Sequence, residues 1–206
     1  MMSMSSPWVL PPRSRYGMRG FGALFGGYPA PPTRVTPFTG PAHTLEVMQD
    51  KALGPRGEQS ILVRQFAEEV TRHLEPKDYL GEILAVRNVF LQRSPQTGAP
   101  LFRYMNDPRH VELLKDPARL CEEIKLYGST LCDCDEITCL AGTLCLVLGR
   151  EVEWVALGFS PRALSHVGVR AREPKSNRWI WLDAVAGPRE ADAAASAKNV
   201  VFWSLD

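Results

Sequence analysis

The sequence predicts an α+β protein, with helices first and an antiparallel sheet after them. Apolar residues recur at three- and four-residue steps from about residue 58 to residue 148. After residue 150 the apolar period switches to two. The hydrophobic share of 45% and charged share of 23% are those of an ordinary globular chain, which excludes wholesale disorder over 206 residues. One order of elements, helices then strands, defines the class.

Along the chain, composition first sets residues 1–57 apart as an extended or disordered arm. They hold 9 of the 17 prolines and 8 of the 16 glycines, with 6 Lys/Arg against 2 Asp/Glu. Such a stretch loses more conformational entropy on ordering than its few apolar groups return. It also carries Trp8, Tyr16, Phe21, Phe25, Tyr28 and Phe38. Two readings stay open: a solvated tail, or an arm that orders by laying these aromatics on the rest of the protein or on a partner.

The folded domain is expected over residues 58–206. Ile61, Leu62, Phe66, Val70 and Leu74 form a helical stripe closed by Pro76, and Leu80, Ile83, Leu84, Phe90 and Leu91 form a second, ending at Ser94-Pro95. Asp107-Pro108 and Asp116-Pro117 each read as a helix start, with aspartate at the cap and proline at the first helical position. The second is expected to run to Tyr127 and stop at Gly128. Another stripe, Ile137, Leu140, Ala141, Leu144 and Leu148, ends at Gly149. Strands are expected at 152–159, 166–172 and 178–183, the last two joined by a loop of about four residues, Glu173 to Ser176. Ala191 to Lys198 is an alanine-rich helix candidate, and Val200 to Trp203 an apolar segment that docks back.

Several function classes are disfavoured at once. A formal charge of +1 provides no global field toward nucleic acid or membrane, and no run of 18 apolar residues spans a bilayer. Phe21 to Ala30 is glycine-broken and too short for a secretory signal, so no cleaved export peptide is expected. Five cysteines, an odd number, do not form a disulfide framework. Cys139 and Cys145, six apart on one helix, lie about 240° apart in azimuth and cannot share an ion. With no C-x-x-C pair, no zinc site is expected. They read instead as small buried apolar residues.

The informative stretch is Leu131-Cys-Asp-Cys-Asp-Glu-Ile-Thr-Cys. Asp133 followed three residues later by Glu136 has capping-box spacing, which places Cys134 at the first helical position. There its sulfur meets orphan N–H groups and the positive end of the helix dipole, which favour thiolate. Asp133, Asp135 and Glu136 oppose it, so a basic partner is needed. If Arg172 faces Asn177 across the loop, His166 faces Asp183 on the next strand. Asp183 then orients His166, and His166 takes the proton of Cys134.

Cys134-Asp-Glu opening an apolar helix, then Ser165-His166-Val-Gly-Val, then Trp179-Ile-Trp-Leu-Asp183, resembles the transglutaminase-like superfamily of papain-like cysteine enzymes, over about residues 85–187. It resembles in particular the short single-domain versions of bacteriophages and prophages, which implies a location in the bacterial cytoplasm or a phage virion. The resemblance implies Cys134 as nucleophile, His166 as general base and acid, and Asp183 as orienting carboxylate. It departs at Cys132, where the family has glycine; at Gly168, where it often has an aromatic; and at Trp181, where it often has proline. The expected activity is attack on an amide or peptide bond of a peptide or protein substrate through a thioester, resolved by water or an amine, with no cofactor and no metal. The alternative is a non-catalytic structural subunit of a phage particle, capsid or tail, meeting other virion subunits through residues 1–57.

Overall fold

The computed structural model describes residues 33–35, 40–95, 97–108, 112–160, 164–183 and 196–205. Among these residues the fold is mixed α/β, with five helices and an antiparallel sheet, in the order β1 (Thr33–Val35), α1 (Gly40–Leu53), α2 (Ile61–Thr71), α3 (Tyr79–Val89), β2 (Phe102–Tyr104), β3 (Glu112–Leu114), α4 (Pro117–Tyr127), β4 (Thr130–Cys132), α5 (Cys134–Val147), β5 (Val152–Gly158), β6 (His166–Glu173), β7 (Arg178–Trp181) and β8 (Asn199–Ser204). The main sheet has the order β7-β6-β5-β8, antiparallel throughout, with α5 packed against β5 and β6 and α3 against β6. Two small pairs flank it: β1 with β3, antiparallel, and β2 with β4, parallel.

Helix α5 is the axis of the molecule. Every residue from Asp135 to Cys145 is buried, as expected of a helix apolar on nearly all sides. The other four helices surround it, and β5 and β6 cover its remaining face. Gly142 permits that contact: a Cβ there would lie 3.0 Å from the Trp154 indole nitrogen and 3.3 Å from Val152 Cγ1. The Thr138 hydroxyl donates to the Val167 carbonyl at 3.0 Å, fixing the first turns of α5 against the start of β6. Cys139 and Cys145 are fully buried here, as their spacing suggested.

Three expectations are corrected. Residues 40–57, assigned to the arm by composition, belong to the folded body. Leu45, Met48 and Ala52 of α1 are buried in the core, and Met48 is fully enclosed. Met48→Ala is therefore expected to lower stability by about 2–5 kcal/mol, the range for a buried large-to-small change, read as a lower urea midpoint with an unchanged slope. Residues 1–32, with most of the arm's aromatics, lie outside the described residues, as does most of the alanine-rich segment at 191–198.

Secondly, Asp107-Pro108 does not start a helix. The Asp107 carboxylate accepts from the Leu113 N–H, and the chain enters β3 at Glu112. Asp116-Pro117 does start one: Asp116 accepts from the Arg119 N–H at 2.9 Å, and α4 ends on Gly128 at φ 74°. Thirdly, the β6–β7 register differs. Arg172 faces Trp179 and Glu173 faces Arg178, so the four loop residues are Pro174 to Asn177. Asn177 supplies the turn with φ 58°, a left-handed conformation asparagine tolerates. The register is displaced by two positions from the expected one, which keeps every side chain on its expected face. The segment from Val200 to Trp203 docks as β8, an edge strand paired with β5. No helix among the described residues is long and apolar enough to cross a membrane.

Candidate active site

Cys134 occupies the first helical position of α5, and the capping box at its start is complete. The Asp133 carboxylate accepts from the Asp135 N–H at 3.2 Å, and Glu136 Oε2 accepts from the Asp133 N–H at 3.1 Å. The sulfur is partly exposed. Its S–H donates to Asp135 Oδ1 at 3.3 Å, and the Val167 backbone N–H and the Tyr104 side chain are near enough to act on it electrostatically. The sulfur thus lies against the residue that follows His166 in β6. Tyr104 reaches it because β2 pairs with β4 in a register that puts Tyr104 beside Cys132, two residues before Cys134.

His166 and Asp183 meet, by a route the sequence did not predict. The Leu182 N–H donates to the Val169 carbonyl at 2.9 Å, so Asp183 lies across from Gly168 and diagonal to His166. Diagonal neighbours on one sheet face remain within reach of long side chains. His166 Nε2 hydrogen-bonds Asp183 Oδ2, and the carboxylate side chain is nearly fully buried. A carboxylate at Nε2 fixes the tautomer with its proton there, so the basic lone pair is on Nδ1.

Gly168 and Trp181, the two positions that departed from the family pattern on these strands, are complementary. A Cβ at Gly168 would lie 2.9 Å from Trp181 Cζ2 and 3.4 Å from Asp183 Cβ. The indole of Trp181 fills the space a side chain at 168 would take, beside the His166–Asp183 pair.

Charge around the sulfur favours the thiol. Burial, then the carboxylates of Asp135 and Asp133, holds the Cys134 thiol well above the ordinary cysteine range, with only the Val167 N–H pulling the other way. The helix-dipole effect expected from the sequence is outweighed, and proton removal falls to a base. Burial raises Asp135 well above the carboxylate range, helped by the neighbouring Glu112 and Asp133. Burial also raises Tyr104 to about 12, Asp133 to about 6 and Glu136 to about 7. Asp133 and Glu136 have folded pKa values above their unfolded ones. Their stabilising contribution is complete below about pH 4 and is lost as pH rises through about 6 to 7. The urea midpoint is expected to be higher at about pH 5.5 than at about pH 8, and Glu136→Gln should flatten that difference.

Asp107, Glu112 and Asp133 place carboxylate oxygens within 4.8 Å of one another, the one such grouping among the described residues. An oxygen-only set suits a hard divalent cation rather than zinc. Two of its members already have backbone work: Asp107 holds the turn into β3, and Asp133 caps α5. Sequence reasoning leaves Tyr104 out of the site and does not reach Glu112 or its place beside Asp135. The spacing of Asp135 was visible, but its partner comes from a three-residue strand with no periodicity to announce it. Cys132 is buried, and His73 is exposed.

Neither a family model, nor a curated protein, nor a solved structure matches this chain.

Proposed function

We propose that the protein is a thiol-dependent acyl-transfer enzyme. More particularly, we read it as a transglutaminase-like cysteine hydrolase that cleaves an amide or peptide bond. The observation that supports this most is the hydrogen bond of His166, at the start of β6, to Asp183, just past the end of β7, with the next residue of β6, Val167, near the Cys134 sulfur.

In this mechanism His166 Nδ1 takes the proton from Cys134 as the sulfur attacks the substrate carbonyl. Asp183 stabilises the imidazolium that forms. The Cys134 N–H, an orphan donor of the first helical turn, faces the developing oxyanion. The imidazolium then protonates the leaving amine, and a thioester remains on Cys134. Water, deprotonated by His166, attacks the thioester and releases the acid, restoring the thiol. All the groups needed are side chains and backbone of this chain.

The test is intact-mass and peptide-level mass spectrometry of the full chain after incubation with cell-wall stem-peptide fragments or a cell protein extract, quenched in acid. The expected product is an acyl adduct confined to the peptide bearing Cys134 and lost in Cys134→Ala. No adduct, or one spread over several cysteines, counts against the proposal. A second reading, a structural subunit of a phage particle that keeps the fold as a scaffold, is favoured by one observation: burial and the neighbouring acids hold the Cys134 thiol in its unreactive form. That reading expects no adduct with any substrate.

A further inference from the structure

On the far side of β2 and β4 from the Cys134 sulfur, the chain forms an open groove of about 390 Å³. One wall is a single stripe of α4, Arg119, Glu123 and Tyr127, at four-residue spacing. The other is Arg103 and Met105, alternate residues at β2, with Leu131 of β4. The apolar members are left in solvent: Met105 is 50% exposed, Tyr127 64% and Leu131 37%. Its charged members largely satisfy one another. Glu123 accepts from Lys115 Nζ at 3.1 Å and from Arg119 Nε at 2.8 Å, and Lys115 Nζ also donates to the Leu131 carbonyl. A groove so lined offers apolar contact and asks for no charged guest.

The chain itself has a matching segment that leads to this place. Thr33 pairs with Leu114, and Lys115, the next residue, stands at the Arg119 end of the groove. Thirty-two residues precede Thr33. The thirteen nearest, Gly20 to Pro32, include Phe21, Leu24, Phe25 and Tyr28 and carry no charged side chain. From Arg119 to Tyr127 the helix advances about 12 Å at 1.5 Å per residue. About four extended residues cover that distance at roughly 3.3 Å each. Proline restricts φ and has no N–H to leave unpaired, so a segment holding Pro29, Pro31 and Pro32 would lose less entropy on docking than an ordinary one. A tether this short gives an effective concentration on the order of millimolar, enough for a weak apolar contact to be occupied.

We propose that residues 20–32 of this chain dock in the groove between α4 and the β2–β4 pair of the same molecule, with the aromatic side chains of Phe25 and Tyr28 against Met105, Leu131 and Tyr127. The docked segment backs the strand that carries Tyr104 to the Cys134 sulfur. The inference is independent of the chemistry proposed for Cys134.

The test is photocrosslinking in the full-length protein, with Phe25→p-benzoylphenylalanine and the adducts located by peptide mass spectrometry. A mixture of ¹⁵N-labelled and unlabelled chains separates contacts within a molecule from contacts between molecules. The expected result is an adduct within one chain, on the peptides bearing Met105, Leu131 or Tyr127. Its yield should fall about tenfold in Met105→Glu and in Tyr127→Glu, where a charge faces the apolar guest. Both positions are exposed, so melting temperature should hold in each variant and report any loss of fold separately. The proposal is overturned by adducts on the exposed edge residues Val200 and Phe202, by adducts that join two chains, by no adduct, or by a yield that neither variant changes.

Discussion

His166→Ala is expected to lower the rate of acyl-thioester formation by about 10³-fold or more while leaving the fold intact. The size follows from the state of the sulfur. Burial, Asp135 and Asp133 keep Cys134 as a thiol, so the helix N-terminus does not deliver a thiolate unaided. The reaction then depends on a base that can take the proton during attack. His166 is the basic group the fold brings to that end of β6, oriented by Asp183 through Nε2. His166 is partly exposed, so its removal opens no deep cavity. Stopped assays with the substrate that gives the Cys134 adduct, run beside thermal melts, separate loss of chemistry from loss of structure.

Gly168→Val carries the second large effect, about 10²-fold in turnover, since small misplacements of reacting groups are costly. No positive φ is involved, and valine suits a strand, so the cost is steric. The new Cβ would sit 2.9 Å from Trp181 Cζ2, 3.1 Å from Cη2 and 3.4 Å from Asp183 Cβ. The indole must move, and Asp183, two residues further on, moves with it and loosens its hold on His166. Trp181→Ala made on top of Gly168→Val should restore part of the rate. A double-mutant cycle with a coupling on the order of 1 kcal/mol is the expected readout. Additive losses would mean that the two positions do not share this space.

Much of the site could be read from the sequence because its determinants are local. Asp133 and Glu136 cap the helix at the expected spacing, and that alone fixes Cys134 at its first position. Gly149, at φ 73°, follows the end of the same helix. The period of two located β5, β6 and β7 to within a residue or two. The hairpin register was missed because a four-residue loop fits either Glu173–Ser176 or Pro174–Asn177, and only the left-handed Asn177 decides. His166 still reaches Asp183 because a displacement of two preserves the face. Helix α1 was hidden by averaging. Its Leu45, Met48 and Ala52 lie on a helical stripe, and Pro41 sits in its first turn, where proline is at home, but the glycines and prolines around it dominated the count. The short strands β1 to β4 gave no signal, since three residues hold too little pattern and their pairing is decided by distant partners. With them went Glu112, a neighbour of the site that no motif announced, and the pairing that brings Tyr104 beside Cys132.

The central claim is that one thiol among five is activated by one imidazole, and residue-resolved alkylation tests it most directly. The full chain is treated with limiting iodoacetamide at neutral pH, and each cysteine is quantified by peptide mass spectrometry in the wild-type protein and in His166→Ala. Cys134 should react well ahead of the buried Cys121, Cys132, Cys139 and Cys145, and its rate should fall about 10²-fold in the variant while theirs do not change. Equal labelling of Cys134 with and without His166 would contradict the account.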